Sequence, residues 1–197
     1  MPTYPTFKYE KRYWKAGFKY IAGIDEVGRG SWAGPVVAAA VILPHKFDLP
    51  GLNDSKKLNR QKMEKFAEII RRESLFFGIG QVEVNVINRK GVGEATFMAM
   101  RSAIKKLKEK PQFVLVDAFY VPYLIDKKLQ TGIIKGDQLC ISIAAASVVA
   151  KVYRDNFMEK LSLIYPHYGF EKHKGYGTRD HQRAIKQFGF TPIHRTS

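Results

Sequence analysis

The feature that most constrains the fold is an unbroken apolar run from Pro35 to Leu43. Its inner part, from Val36 to Ile42, contains only Val, Ala and Ile, so an extended chain there is apolar on both faces. Such a strand is stable when both of its faces are covered, inside a sheet. The sequence therefore predicts a strand buried on both faces, with amphipathic helices packed against its sheet.

A second constraint lies directly before this run, where two adjacent acids precede a glycine-rich segment. Tyr20 to Val27 is predicted to be a strand, with Asp25 and Glu26 near its end. Neighbouring side chains of a strand point to opposite faces, so adjacent carboxylates cannot both be buried without partners. The segment Gly28-Arg29-Gly30 combines glycines that allow a sharp turn with a planar cation suited to phosphate. These residues point to a metal-dependent enzyme that acts on nucleic acid.

The other elements follow from apolar periodicity and turn residues. One further strand is predicted over 75–86, another over 113–117 that ends in Asp117, and a short strand before the glycine and acid of Gly136-Asp137. Helices are predicted over 59–72, about 94–108, 142–164 and from the N-cap Thr178 to about 188. The segment 165–178, rich in aromatic, basic and glycine residues, is predicted to be a loop suited to stacking and phosphate contact.

Composition narrows the class of partner. The chain has 197 residues, enough for one packed domain, and 33 Lys and Arg against 18 Asp and Glu give it a formal charge of +15. That charge favours a polyanion, although ribosomal and membrane-surface proteins share it. Cys140 is the single cysteine, which excludes an intrachain disulfide and fits a reducing compartment. No segment resembles a leader or a membrane span, so a cytoplasmic protein without membrane contact is expected.

Four carboxylates are predicted to come from three strand ends: Asp25, Glu26, Asp117 and Asp137. In a compact sheet they can converge at one edge, where unpaired carboxylates repel one another. Hard divalent cations relieve that repulsion, and oxygen-only ligands favour magnesium or manganese over zinc. Two such ions can activate a water and stabilise the leaving oxygen of a phosphodiester. An isolated Asp117 also fits a turn cap, but the repeated strand-end acids favour phosphodiester hydrolysis.

Two other groups of polar residues are candidates for substrate contact. On the helix predicted over 142–164, Ser147, Lys151 and Asp155 recur every four residues and so share one face. We expect that face to turn towards the acids, although an exposed Lys151–Asp155 pair gives the same pattern. Lys56 stands beside a second lysine in a predicted loop, where it is either solvated or on a phosphate.

Motifs for several other chemistries are absent. There is no GxxxxGK[ST] loop for a nucleoside triphosphate, no G-x-S-x-G elbow, and no third glycine of a dinucleotide fingerprint after Gly28-Arg29-Gly30. Four histidines lack a zinc-like spacing, and each is interpreted as a surface or loop residue: His167, His173, His181 and His194.

Five segments closely resemble bacterial ribonuclease HII, a type 2 ribonuclease H. They are GIDEVGRGSWAGPVVAAAVIL, GLNDSKKL, LVDAFY, KGDQLCISIAAASVVAKVYRD and YPHYGFEKHKGYGT, between about Gly23 and Thr178. The resemblance implies an α/β, ribonuclease H-like fold, with a mixed five-stranded sheet flanked by helices and a small C-terminal helical region. Residues 1–197 are expected to form a single catalytic domain, with a core over about 20–164 and a C-terminal loop and helix region over about 165–197.

The resemblance also implies an activity. It is endonucleolytic hydrolysis of the phosphodiester on the 5′ side of ribonucleotides, in RNA/DNA hybrids and at single ribonucleotides embedded in duplex DNA, leaving a 3′-hydroxyl and a 5′-phosphate. The quartet Asp25, Glu26, Asp117 and Asp137 would be catalytic and would bind two Mg²⁺ or Mn²⁺ ions. A monomer is expected.

Individual roles follow from the same resemblance. Gly28-Arg29-Gly30 would read the 2′-hydroxyl of the ribonucleotide, largely through backbone groups. Tyr176 would pack against the sugar of the following deoxynucleotide, and Asp155 would be a secondary acid nearby. Three further positions match residues near the bound backbone: Lys56, Ser147 and Lys151.

Two positions depart from the family's common pattern. Ala118 follows Asp117 where many relatives have glycine, and Ser31-Trp32 replaces a common Pro-Leu. Both changes are expected to adjust the substrate groove without removing a ligand. Two other functions stay open from the residues alone: a non-catalytic basic nucleic-acid-binding protein in which the acids are structural, and a metal-dependent nuclease that acts on DNA junctions.

Overall fold

Five strands form one mixed sheet in the computed structural model, which describes residues 4–52 and 59–196. The predicted substrate contact Lys56 lies outside the described residues. The strand order is β3-β2-β1-β4-β5; β1 pairs antiparallel with β2, β2 antiparallel with β3, and β1, β4 and β5 run parallel. The strands are β1 (Ile21–Val27), β2 (Val36–Ile42), β3 (Phe76–Val82), β4 (Phe113–Asp117) and β5 (Gln130–Ile133).

Helices cover both faces of this sheet. In the described parts of the chain they are α1 (Lys8–Lys15), α2 (Arg60–Glu73), α3 (Val84–Lys105), α4 (Gly136–Leu139), α5 (Ile141–Ile164), α6 (Phe170–His173) and α7 (Arg179–Phe188). Alternate residues of β2 enter two separate cores, one against α2 and α5 and the other against α3. This confirms the prediction from the apolar run, because all seven residues of β2 are buried. None of the described helices is long and apolar enough to cross a membrane.

A close contact between β1 and α5 fixes the depth at which the site lies. At Gly23 a Cβ atom would lie 2.2 Å from the carbonyl carbon of Ser142, so only glycine allows the strand and the helix to approach this closely. The small residues at the start of α5, Ala144 to Ala146, are fully buried in the same layer. As a result, the end of β1 lies directly beside the first turns of α5.

The predicted and observed elements differ in the third strand. It was predicted over 75–86, but β3 ends at Val82 and a helix begins at Val84. Val84 and Ile87 are both buried, and their spacing of three places them on one helical stripe. The helix predicted to begin at Glu94 therefore begins ten residues earlier, with an interruption at Gly91, where φ is 78°. The glycine that indicated a break marks a kink inside the element.

Two terminal segments add structure that the sequence patterns did not predict. The helix α1 places Glu10 in the protein interior, where its carboxylate accepts hydrogen bonds from the Ser142 N–H (2.9 Å) and the Cys140 thiol (3.1 Å) at the start of α5. The segment predicted as a loop over 165–178 contains the one-turn helix α6. The helix α7 begins after its N-cap Thr178, as predicted, and the side chain of Thr178 accepts from the His181 N–H.

We predict that Gly23→Ala lowers the free energy of unfolding by about 3 kcal/mol, because the added methyl group forces β1 away from the backbone of α5. Thermal and urea denaturation monitored by circular dichroism measure this change. Gly93→Ala is the matched control: a Cβ there meets no atom within 4 Å, and alanine inside α3 should add about 0.5–1 kcal/mol. Equal stability of the two variants would contradict the close-packing argument.

Candidate active site

The four predicted acids line one cleft of about 450 Å³ at the edge of the sheet. Parallel pairing of Ile24 with Val116 puts the next residues, Asp25 and Asp117, at the same level on neighbouring strands. The cleft also contains most of the predicted substrate contacts. Its lining residues are Asp25, Glu26, Val27, Gly28, Arg29, Gly30, Asp117, Asp137, Ser147, Lys151 and Tyr176.

The carboxyl group of Asp25 is strongly perturbed by its surroundings. Its side chain is 6% exposed, and burial, followed by repulsion from Glu26 and Asp117, raises its pKa well above the usual value. Two hydrogen bonds act in the opposite direction: Oδ1 accepts the Glu26 N–H at 2.7 Å, and the Ser147 side chain also bonds to the carboxylate. Asp25 is therefore a carboxylate that a cation bound in the cleft would stabilise in its charged form.

The other acids come from different elements. Asp117 ends β4, and its Oδ1 accepts the Gly136 N–H at 2.7 Å, which joins β4 to the start of α4. Asp137 lies in the first turn of α4 and is buried, two residues after the left-handed Lys135. It was predicted at a strand end, but β5 stops at Ile133 and a turn carries the chain to the short helix. The sheet nevertheless brings all three segments to one edge.

The chemistry of this donor set fits a hard divalent cation. It provides carboxylate oxygens without histidine or cysteine, and the mutual repulsion of Asp25, Glu26 and Asp117 is the electrostatic condition that such a cation relieves. Within residues 4–52 and 59–196, however, no group of three or more His, Cys, Asp or Glu side chains is already arranged as a metal cage. The four acids line the same cleft without forming such a cage.

The predicted face of α5 is divided between two sites. Ser147 and Lys151 line the cleft, but Asp155 does not. Asp155 Oδ1 accepts a hydrogen bond from Lys151 Nζ at 2.8 Å and lines a small neighbouring pocket with residues of α2. Both side chains of this pair are partly buried. The predicted secondary acid Asp155 thus lies one helical turn away from the cleft. There it binds the ammonium group of Lys151, which does line the cleft.

A buried arginine that no local sequence pattern indicated packs against the turn after β1. Arg154 of α5 is fully buried and donates to the backbone carbonyls of Pro35 (2.9 Å), Lys174 (2.9 Å) and Ala33 (3.1 Å). Gly28 has φ of 86°, and a Cβ there would lie 2.2 Å from Arg154 Nε. The guanidinium therefore needs glycine above it, and it joins the segment after β1 to the segment before Tyr176.

A second arginine supports the same turn from the C-terminal segment. Arg195 donates to the carbonyls of Gly34 (2.8 and 3.0 Å) and Arg29 (3.0 Å), and burial lowers its pKa to about 10. The backbone between these residues is paired as well, since the N–H groups of Trp32 and Ala33 both donate to Gly175 O, at 2.8 and 3.2 Å. The turn, the segment around Tyr176 and the chain end are thus one hydrogen-bonded unit.

Tyr176 is held by a chain of neutral histidines. The Thr191 N–H donates to His194 Nδ1 at 2.8 Å, so the proton of that ring is on Nε2, which faces His181 Nε2 at 3.0 Å. The proton of His181 is consequently on Nδ1, which donates to the Tyr176 carbonyl at 3.0 Å. The interpretation as a surface or loop residue was wrong for His181, which is buried and belongs to α7. His194 does lie outside the helices and strands, in the segment after α7, but it is buried as well. The spacing of His181 from Ala184 on one helical face was the available signal.

Comparisons with known proteins find relatives across most of the chain. Residues 22–197 match the family model described as Ribonuclease HII. A ribonuclease HII from Desulfitobacterium hafniense is 52% identical over 188 residues, which is 95% of this chain and 72% of the relative.

Solved structures share the fold. The structure of the PCNA:RNase HII complex from Archaeoglobus fulgidus is similar with a TM-score of 0.75 and 26% identity, over 90% of this chain and 94% of that one. The crystal structure of Bst-RNase HIII in complex with Mn²⁺ is similar with a TM-score of 0.60 and 22% identity, over 86% and 63% of the two chains, and this likeness bears on the fold alone. The predicted ribonuclease H-like fold is confirmed.

We predict that the histidine chain makes stability depend on pH. Burial lowers the pKa of His181 to about 4 and that of His194 in the same direction, so between pH 6.5 and 4 the unfolded chain binds protons that the folded chain does not. The free energy of unfolding should fall as the pH falls through this range. His181→Asn keeps a donor for the Tyr176 carbonyl but cannot titrate.

Urea denaturation at several pH values between 4 and 7 measures the effect. The loss of unfolding free energy on acidification should be smaller in His181→Asn than in the wild type, by on the order of 2 kcal/mol. Parallel pH profiles of the two proteins would contradict a neutral, buried His181.

Proposed function

This chain belongs to the ribonuclease HII family and is a ribonuclease H, an endonuclease that hydrolyses ester bonds, and we propose the substrate and the mechanism that its site serves. The proposed reaction is hydrolysis of the phosphodiester on the 5′ side of a ribonucleotide, in RNA/DNA hybrids and at single ribonucleotides within duplex DNA. The products are a 3′-hydroxyl and a 5′-phosphate. Residues 1–197 are proposed to act as one catalytic domain.

A single observation supports this proposal most strongly: one cleft contains four carboxylates, the Gly28-Arg29-Gly30 turn and Tyr176. Acids alone would fit any metal-dependent nuclease, and a glycine turn alone would fit many ligands. Their contact in one cleft pairs groups suited to phosphodiester hydrolysis with groups suited to reading a sugar. The formal charge of +15 adds attraction for a nucleic acid duplex.

The proposed ligands of the metal are Asp25, Glu26, Asp117 and Asp137. When bound there, two Mg²⁺ or Mn²⁺ ions would supply an activated water and stabilise the leaving oxygen. Hydrogen bonds fix the position of the Asp25 carboxylate, and burial and the neighbouring negative charges favour binding of a cation beside it. Lys151 lines the same cleft beside Ser147, and its ammonium group, oriented by Asp155, is proposed to hold a backbone phosphate.

Recognition of the ribonucleotide is assigned to the turn after β1. Gly28 and Gly30 both line the cleft, Gly28 as a buried residue and Gly30 as an exposed one. Arg195 bonds to the Arg29 carbonyl between them, and the Arg154 side chain lies directly against Gly28. Such rigid support favours a reader of the 2′-hydroxyl, because one hydrogen bond distinguishes RNA from DNA only if its donor and acceptor cannot shift. Arg29 itself is exposed and lies 4.0 Å from the Glu26 carboxylate, where it can meet the phosphate backbone.

The cleavage reaction gives the first prediction for this function. The wild-type protein should cut a DNA duplex that carries one ribonucleotide in the presence of Mg²⁺ or Mn²⁺, and it should leave the all-DNA duplex intact. Asp25→Asn or Asp117→Asn should reduce the rate by about a thousandfold or more, because each removes a charge placed for the transition state. Gel analysis of end-labelled duplexes measures both the rate and the cut position.

Thermal denaturation in the presence of a chelator is the control for folding. Asp25→Asn should unfold at the same or a higher temperature than the wild type, since it removes a buried carboxylate that its neighbours repel. Undiminished cutting by both variants would exclude the acidic site. Cutting of the all-DNA duplex would support a junction nuclease, and salt-sensitive binding without cleavage would support a non-catalytic binding protein.

The aromatic ring of Tyr176 gives a second prediction. If it packs against the sugar that follows the ribonucleotide, Tyr176→Ala should slow cutting at a single ribonucleotide about tenfold more than cutting within a long hybrid. Tyr176→Phe keeps the ring and should stay close to the wild type. Rates on the two substrates, measured in parallel, test this, and equal losses on both would exclude a role at the RNA–DNA junction.

A further inference from the structure

A second groove of about 450 Å³ lies beside the acidic cleft. Its walls are the loop after β1, the kinked part of α3, α7 and the C-terminal segment, and its surface is mainly aromatic and basic. Trp32 and Phe190 present their rings there with exposed fractions of 45% and 68%, and Arg29 and Lys186 supply cations. Large apolar side chains this exposed, in a groove rimmed by cations, indicate a binding surface.

The groove is continuous with the proposed active site. Arg29 lines both the acidic cleft and the groove. The indole of Trp32 lies against Gly177, where a Cβ would be 2.4 Å from the ring, and Gly177 directly follows Tyr176. A strand that leaves the cleft past Tyr176 therefore meets Trp32 next. The backbone of Trp32 is fixed by hydrogen bonds from its N–H to Gly175 O (2.8 Å) and from the Arg195 N–H to its carbonyl (2.8 Å).

The far side of the groove opens onto a row of cations on α7. Gln182 and Lys186 line the groove and also an adjoining depression that Arg179 and Arg183 complete. All three cations are exposed, and Arg183 pairs with Asp180. Among residues 4–52 and 59–196, Arg179 and Lys186 have no ion-pair partner. Their spacing along the helix places the cations one turn apart, which suits successive phosphates better than a compact anion.

We propose that this groove is a second substrate subsite, which holds the sugar–phosphate backbone of the DNA on the 3′ side of the ribonucleotide. Deoxyribose packs against Trp32 and Phe190, and the phosphates contact the α7 cations Arg179, Arg183 and Lys186. A protein partner is a weaker choice, because the groove is bordered by positive charge and joins a nucleic-acid cleft. The assignment rests on the proposed function, since it takes its direction from the nucleotide placed on Tyr176.

The sequence offers a direct optical test, because Trp14 and Trp32 are the only tryptophans. Trp14 lies in α1 and packs against Phe7 and His45, away from the cleft. A Trp14→Phe, Asp25→Asn protein therefore reports on Trp32 alone and does not cut its ligand. Its emission should change when a duplex with one ribonucleotide and a long 3′ flank binds, and should not change when that flank is shortened to one deoxynucleotide. Anisotropy of a dye on the duplex reports binding independently.

Kinetics provide the functional test. On a substrate with a long 3′ flank, Trp32→Leu and Lys186→Gln should each raise KM about tenfold with little change in kcat, the scale of one stacking or phosphate contact. On the substrate with the shortened 3′ flank, both variants should match the wild type. Trp32→Phe should restore most of the affinity. Lys105→Gln removes an equal charge at the opposite end of α3 and should behave as the wild type on both substrates.

The outcomes separate the two proposals. Suppose that the wild type cuts ribonucleotide-bearing duplexes. The subsite is then wrong, and the proposed function stands, if Trp32 fluorescence does not change when DNA binds or if the Lys186 variant loses no affinity for the long 3′ flank. The same holds if the response follows the 5′ flank. If the wild type cuts no ribonucleotide-bearing substrate, the proposed function fails and the assignment of this groove fails with it.

Discussion

The buried guanidinium of Arg154 is the interaction on which the site depends. The side chain projects from α5, is fully buried, and donates hydrogen bonds to the carbonyl oxygens of Ala33, Pro35 and Lys174. Removing such a cation from water is costly, and burial lowers its pKa, so the three acceptors must stay in place for the charge to be tolerated. That requirement ties the segment after β1 to the segment before Tyr176. The two parts of the cleft that are proposed to read the substrate cannot move independently.

The acidic side of the cleft follows a different principle, since the fold there assembles charges that repel one another. The register of β1 and β4 places Asp25 beside Asp117. Because β1 and α5 pack closely at Gly23, Ser147 of α5 lies within hydrogen-bonding distance of Asp25. Hydrogen bonds to the carboxylates offset part of the repulsion. A divalent cation bound among these carboxylates would offset the remaining repulsion. The repelling carboxylates and the carbonyls that bind the two arginines thus lie within the eleven residues from Asp25 to Pro35.

Local patterns predicted the elements best where burial and periodicity agree. The apolar run of β2 and the stripe of α2 required no tertiary information, because one is apolar on all positions and the other on one helical face. The start of α3 was misjudged because valine and isoleucine favour strands, and only packing against the sheet decides that Val84 and Ile87 share a helical stripe. The helix α1 was missed because its sequence is basic and aromatic. Its position depends on Glu10, which bonds to the start of α5 from 132 residues away along the chain.

The sequence by itself determined which side chains are available for chemistry, and most of the predicted residues that the structure describes line one cleft. It did so because acids at strand ends and glycines in turns leave a local signature. Only the tertiary structure decided that Asp155 turns to Lys151 and away from the cleft, that His181 and His194 form a buried chain, and that Arg154 and Arg195 support the turn. Those roles arise from partners far apart in the chain, and no local pattern records which distant carbonyl an arginine will meet. They exist only when the sheet and α5 bring the segments together.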